Sequence, residues 1–218
     1  MDYQIIRSKR KTLSLQINQN AELVIRAPLY LGGREIQAFI DEKSGWIEKK
    51  QQQVKSQISK KHGYHNGEIF LYLGNEYPLS LDNIEKGLVF NGNEFLLNKG
   101  CGQKRNSFEQ WYKQQFSEVA LPRIDYFAKK HNLKFNEVRI KKQKTLWGSC
   151  SSSNNLNFNY LLMMAPMSVI DYVIVHELSH TIHKDHSKKF WALVVSILPE
   201  YKLANKWLRD NGHKLRSL

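Results

Sequence analysis

Hydrophobic positions along the chain follow two periods in turn. Residues 12–17 alternate apolar and polar, and residues 22–26 do so less regularly, which predicts a two-stranded hairpin with Gln19-Asn20 at its turn. Over 34–39 and 44–59 the period lengthens to that of a helix. Phe39, Ile40, Ile47, Val54 and Ile58 form the apolar stripe, with Lys, Glu and Gln outward. Four short strands follow at 69–73, 76–81, 87–90 and 94–97, with hairpin turns at Gly74-Asn75 and 91–93. Pro78 predicts an edge position for its strand, because proline cannot donate to a ladder.

From 107 to about 130 the helical period returns. Phe108, Trp111, Tyr112, Phe116, Val119 and Ile124 face inward, and Pro122 is a candidate kink. Residues 137–140 and 156–159 read as short strands. Pro166-Met-Ser168 opens a further helix, with Ser168 and Asp171 spaced as a capping box. Ser187 is placed to cap the next helix, whose stripe is Phe190, Trp191, Val194 and Leu198. Pro199 starts a last one bearing Tyr201, Leu203, Trp207 and Leu208. These elements predict an α+β protein. A β-rich N-terminal region, 1–102, precedes a mainly helical domain with a short sheet, 103–218, and Lys99-Gly-Cys-Gly102 is the expected boundary.

Composition narrows the setting. Hydrophobic residues make up 41% of 218, enough for a core. No apolar run approaches the roughly 20 residues that span a bilayer. The opening Met-Asp-Tyr-Gln lacks the basic-then-apolar pattern of a signal peptide. Cys101 and Cys150 are too few for a disulfide framework and lack a C-x-x-C spacing, so a reduced cytoplasm is expected and a cysteine zinc site is not. The net charge of +13 is uneven: residues 1–100 hold 14 Lys+Arg and 11 Asp+Glu, whereas 101–218 hold 19 and 9. A basic C-terminal half admits nucleic acid as a partner, and equally a solvated basic surface. The clusters 7–11 and 139–144 are the candidate phosphate contacts; the first also reads as a charge block against edge pairing.

The chemistry concentrates in His176-Glu177-x-x-His180, followed six residues on by His186. On a helix, positions i and i+4 share a face one turn apart, so His176 and His180 can offer two imidazole nitrogens to one Zn²⁺. Glu177 is rotated about 100° from His176, where a general base flanks the metal without binding it. Catalytic zinc usually has three protein ligands and one open position. His186 can supply the third if the chain turns back after 182 or 183. His183, seven residues after His176, is the competitor, but a straight helix carries it a turn too far along. Residues 169–174 are so apolar that the helix is expected to be buried, which makes two unsatisfied His and a Glu costly there. His62 and His65 lie in a turn-rich segment that no carboxylate or Cys is expected to accompany, and read as loop residues. Tyr160, Trp147 and Lys144 are candidates for stabilising an oxyanion. Asp185 is a candidate support for a ligand His, or a solvated carboxylate. The strand at 156–159 is the candidate to pair with an extended substrate.

Lys144-Thr-Leu-Trp-Gly-Ser-Cys150, Leu156-Asn-Phe-Asn159, Ile170-Asp-Tyr-Val and the stretch from His176-Glu-Leu-Ser-His180 to His186-Ser-Lys-Lys-Phe-Trp191 together resemble the YgjP-like metallopeptidase family. Arg26-Ala-Pro28 and the basic run before it are similar to that family's opening. The resemblance implies a zincin-like catalytic core, one Zn²⁺ per chain held by His176, His180 and His186, and Glu177 as the catalytic residue. It implies hydrolysis of peptide bonds in a peptide or protein substrate by a zinc-bound water that Glu177 activates. Metzincins share the ligand spacing but place Gly where this chain has His183, so the turn to His186 must be made differently here. The family core is also similar to SprT-like proteases, some of which act on DNA-associated proteins. Alternatives are therefore a zinc-stabilised nucleic-acid-binding protein and a protease brought to DNA by its basic surface. A membrane partner is not expected, and the pattern is silent on oligomeric state.

Overall fold

The computed structural model describes residues 3–18, 20–57, 62–85 and 87–218. The chain is α+β and divides into two compact units, 1–60 and 61–218. The boundary expected near 102 falls inside the second unit.

In the first unit, β1 (Tyr3–Ser8) runs parallel to β3 (Leu23–Pro28), and β2 (Ser14–Ile17) pairs antiparallel with β3 from the other side. The predicted hairpin is thus β2–β3; Gln19 of its turn lies outside the described residues. Helices α1 (Gly33–Glu42) and α2 (Ser44–Gln57) follow. Leu23, Ile25 and Ala27 of β3 pack with Ile36, Ile40 and Ile47. Ile36 was not on the expected stripe, Phe39 is only half-buried, and Ile58 lies outside the described residues. Within the basic cluster, Arg7 donates to the carbonyls of Pro28, Leu29 and Leu31 at 3.2, 3.3 and 2.7 Å. It ties down a loop of its own unit.

The second unit starts with β4 (Ile69–Tyr72), β5 (Asn75–Asp82), β6 (Leu88–Phe90) and β7 (Phe95–Asn98) in the order β4-β5-β7-β6. Pro78 is therefore not on an edge strand. It sits at a changeover, the last β5 residue paired with β4 before Leu79 takes up pairing with β7, so its missing N–H breaks neither ladder. The β4–β5 loop is Leu73-Gly74, one residue earlier than expected, with both residues at positive φ as a two-residue hairpin of this hand requires. Beyond them, His62 and His65 do occupy a loop, yet a carboxylate accompanies them. Glu68 meets the His62 ring at 2.7 Å and accepts from the backbone N–H of Gly63 and His65.

Helix α3 (Lys104–Lys130) is the spine of this unit. Phe108, Tyr112, Phe116, Ala120 and Ile124 recur every four residues and are buried on one face, where a single helical stripe must lie. Pro122 is accommodated within it. The third sheet comprises β8 (Val138–Lys141), β9 (Gly148–Cys150) and β10 (Leu156–Asn159) in the order β8-β10-β9. β10 is parallel to β8 and antiparallel to β9. A short 3-10 turn, Tyr160–Met164, leads into α4 (Met167–Ser179); α5 (Lys188–Ile197) and α6 (Tyr201–Leu215) complete the chain. The β4–β5 loop braces the entry to α4: Leu73 and Gly74 donate to the carbonyls of Met163 and Met164 at 2.8 and 3.1 Å. A Cβ on Gly74 would stand 2.7 Å from the Pro166 ring, so glycine is required there by space as well as by φ. No described helix is long and apolar enough to cross a membrane.

Two expected caps take other forms. Asp171 does not cap α4, whose N-cap position is Pro166; it forms a two-pronged ion pair with Arg123 of α3. Ser187 occupies the N-cap position of α5 without a side-chain bond, and Asp185 Oδ1 accepts the Ser187 N–H at 3.2 Å.

Candidate active site

Helix α4 is buried nearly all round, from Val169 to Val175, because its residues there are apolar or aromatic except Asp171, which Arg123 pairs. It delivers His176 and His180 one turn apart with ring centroids 4.9 Å from each other. The helix ends at His180, and the chain reverses through 181–187 with no residue at positive φ, so the glycine of a metzincin-type turn is not needed. Two bonds shape the reversal: the His183 N–H donates to Ser179 O at 3.0 Å, and the His180 ring Nδ1 meets His183 O at 2.9 Å. Lys184 fastens the same loop to the turn after β9 through Ser151 O at 2.9 Å and the Asn154 side chain.

The loop thereby brings the exposed His186 ring back over α4. Its Nε2 stands 3.1 Å from Nε2 of His176 and 3.2 Å from Nε2 of His180. Among the described residues, only these three form a group of His, Cys, Asp or Glu whose ligand atoms converge closely enough to hold a metal ion. His183 enters through its carbonyl, which fixes His180 as the Nδ1–H tautomer and leaves its Nε2 lone pair facing the centre. Asp185, the sequence candidate for that support, is engaged at the start of α5 instead.

Phe190, fully buried on α5, lies beneath all three imidazoles with ring centroids 5.0, 4.4 and 4.9 Å from those of His176, His180 and His186. Trp191 stacks on His186, Tyr201 on Trp191, and Tyr172 on Tyr201. Sequence reasoning placed Phe190, Trp191 and Tyr201 on core stripes; the four-residue step from His186 to Phe190 was the one signal that a ring would follow the histidine round.

Burial, joined by the neighbouring rings of His180 and His186, holds His176 down to about 3, and burial also lowers His180. Both imidazoles are therefore neutral at pH 7, the form that binds metal. Glu177 is 5% exposed, and burial pushes its carboxyl up to about 8. Its Oε2 is buried with no hydrogen-bond partner, as is His176 Nδ1. A buried carboxylate without a partner is unfavourable unless a cation or a reacting group relieves it. Three imidazole nitrogens around one point, beside such a carboxylate, suit a borderline divalent ion with an open coordination position.

β9 passes directly over this carboxylate. A Cβ at Gly148 would lie 2.6 Å from Glu177 Cγ and 2.7 Å from Oε1, so only glycine lets the strand run this close. β9 is also an edge strand, whereas β10, the expected partner for a substrate, is hydrogen-bonded on both sides. A cleft of about 260 Å³ opens here between the segment 145–148, α4 and α6, and reaches His176 and Glu177. Of the oxyanion candidates, Trp147 lines it; Tyr160 is turned toward Glu109, and Lys144 is not part of the lining. Tyr172, one turn before His176 and missed in the sequence, also lines it, and burial raises its hydroxyl to about 12, so it stays protonated. Cys150 is half-buried beside Lys184 and stands outside the histidine cluster.

A converging histidine triad with an unpartnered carboxylate on a buried helix defines the class: a metal-dependent hydrolase site. The sequence of 11–211 matches the family described as YgjP-like, metallopeptidase domain. The chain belongs to that family and is a metal-dependent peptidase. No curated protein matches it. Among solved structures, the metallopeptidase zymogen abylysin of Pyrococcus abyssi is similar to part of it, with 17% identity and a TM-score of 0.39, covering 42% of this chain and 93% of that one.

Proposed function

We propose that this protein is a zinc peptidase in which His176, His180 and His186 hold the ion and Glu177 is the general acid–base. The observation that carries the reading is the meeting of three Nε2 atoms, 3.1 and 3.2 Å apart, next to a buried carboxylate oxygen without a partner. When bound, zinc supplies a Lewis acid that brings the pKa of water toward about 7 and polarises a carbonyl. The chain's own groups do the rest. The free edge of β9 pairs with an extended substrate and sets the scissile carbonyl near the triad. Glu177 takes one proton from the attacking water and passes it to the amide nitrogen as the C–N bond breaks. The carbonyl carbon keeps the water oxygen, and the nitrogen leaves as an amine. Tyr172 offers an O–H donor on the cleft wall.

The purified protein is expected to hold about one zinc per chain. His176→Ala loses the metal; Glu177→Gln keeps it and loses hydrolysis. Continued hydrolysis by Glu177→Gln would sink the catalytic assignment. Full zinc affinity in His186→Ala, with loss in His183→Ala, would sink the third ligand.

A further inference from the structure

We infer that the cleft beside Glu177 is a selectivity pocket for a bulky apolar side chain, that of the substrate residue whose amine is released. The inference rests on the proposed function and adds the substrate class.

Three observations lead to it. First, the pocket's location identifies which residue enters. The group that returns a proton to the departing nitrogen must stand beside that nitrogen. Glu177 is part of the cleft wall. The side chain pointing into this cleft therefore belongs to the residue contributing the nitrogen, the new N-terminus of the product.

Second, the walls fix the chemistry. Leu146 and Trp147 stand on one side, Val173 of α4 and Leu208 of α6 on others, and no Lys, Arg or Asp lines the space. A charged side chain entering it would lose hydration and find no Lys, Arg or Asp on the walls to pair with. Asn205 and Thr145 are the neutral polar exceptions near the rim. The volume of about 260 Å³ is below the roughly 300–1,000 Å³ that takes a whole drug-sized ligand, and suits one large side chain such as Leu, Met or Phe.

Third, the wall is built to keep its shape. The Trp147 indole carries the Arg216 guanidinium over its ring at 4.2 Å and packs closely on Gly212, where a Cβ would come within 3.1 Å of the ring. Arg216 also donates to the carbonyls of Gln143, Lys144 and Thr145, and the Asn159 amide to those of Gln143 and Leu146. A loop held by two side chains at five points is preorganised, and selectivity needs a wall that does not yield.

The test is cut-site profiling of the zinc-loaded protein on a proteome-derived peptide mixture, read by mass spectrometry. Product N-termini are expected to be enriched at least fivefold in Leu, Met and Phe. Asn205→Asp, which adds a carboxylate at the rim, is expected to bring Lys and Arg into that position. In parallel, immobilised Glu177→Gln protein is incubated with the same mixture and retained peptides are sequenced; this reads the pocket without turnover. Cleavage with no preference after the cut, or one that Asn205→Asp leaves unmoved, overturns the pocket and leaves the peptidase reading intact. Absence of cleavage together with retention of apolar-rich peptides overturns the peptidase reading and keeps the pocket. Neither cleavage nor selective retention overturns both.

Discussion

Gly148 is the residue on which the candidate chemistry depends without taking part in it. A methyl group there meets both Cγ and Oε1 of Glu177, whose buried position leaves it little room to move aside. Gly148→Ala is therefore expected to lower kcat on the order of 100-fold, the scale of a misplacement near 1 Å, with zinc content unchanged. Steady-state kinetics and metal analysis check it together. Glu177 carries a second, pH-dependent signature. Its carboxyl sits at about 8 in the metal-free fold against 4.5 ordinarily, so the folded state keeps a proton that the unfolded chain has lost. Its contribution to stability is complete below pH 4.5 and disappears as pH rises through 8. Glutamine mimics the protonated acid. Metal-free Glu177→Gln should match the wild type in Tm near pH 4.5 and exceed it at pH 8. Equal melts at both pH values would show that the carboxyl is not desolvated.

At the scale of elements, the site depends on pieces that have no regular structure of their own. The segment 143–147 is neither helix nor strand, yet its residues 145–147 form one wall of the cleft and it is held by Arg216 at the end of α6. Arg216→Ala removes three hydrogen bonds and the ring stack, and is expected to raise KM several-fold with a smaller change in kcat. Arg216→Lys retains the charge but not the planar fork, and restores little. Equal losses in kcat and KM for both variants would point to misfolding instead. The ion pair between α3 and α4 makes a separate contribution. Asp171 is nearly buried while Arg123 is about one-third exposed, so Asp171→Asn is expected to lower stability by about 1–3 kcal/mol, read as a drop in Tm with the zinc site retained. Neither link was visible in the chain as written. Asp171 was paired with Ser168 because a capping box needs only local spacing, whereas Arg123 is 48 positions away.

On the scale of the molecule, each unit has its own apolar core: the sheet β1–β3 with α1 and α2 in one, the aromatic and aliphatic packing around α3 and α4 in the other. Residues 61–218 contain the histidines, Glu177, β9 and the cleft. Expressed alone, they are expected to melt cooperatively and bind one zinc, as circular dichroism and metal analysis would show. A molten fragment unable to retain zinc would contradict this. The positive charge of the C-terminal half is partly committed within that unit: Arg105 and Lys142 to Glu109, Arg139 to Glu137, Lys206 to Asp210.

What the sequence determined by itself was local. Helical period, apolar runs and the His-Glu-x-x-His spacing depend on neighbours within a turn or two, so α3, α4 and the shared face of His176 and His180 followed from the residues. Only the tertiary structure decided what required distant chain to meet. The turn that returns His186 is fastened by Lys184 to Ser151 and Asn154, 33 and 30 residues back. β9, just Gly-Ser-Cys, has no alternation to betray it and is a strand because β10 pairs with it. Pro78 is interior because β5 changes partners beside it. Periodicity reports which face of an element is apolar; which element covers that face is set by packing between segments that no local pattern relates.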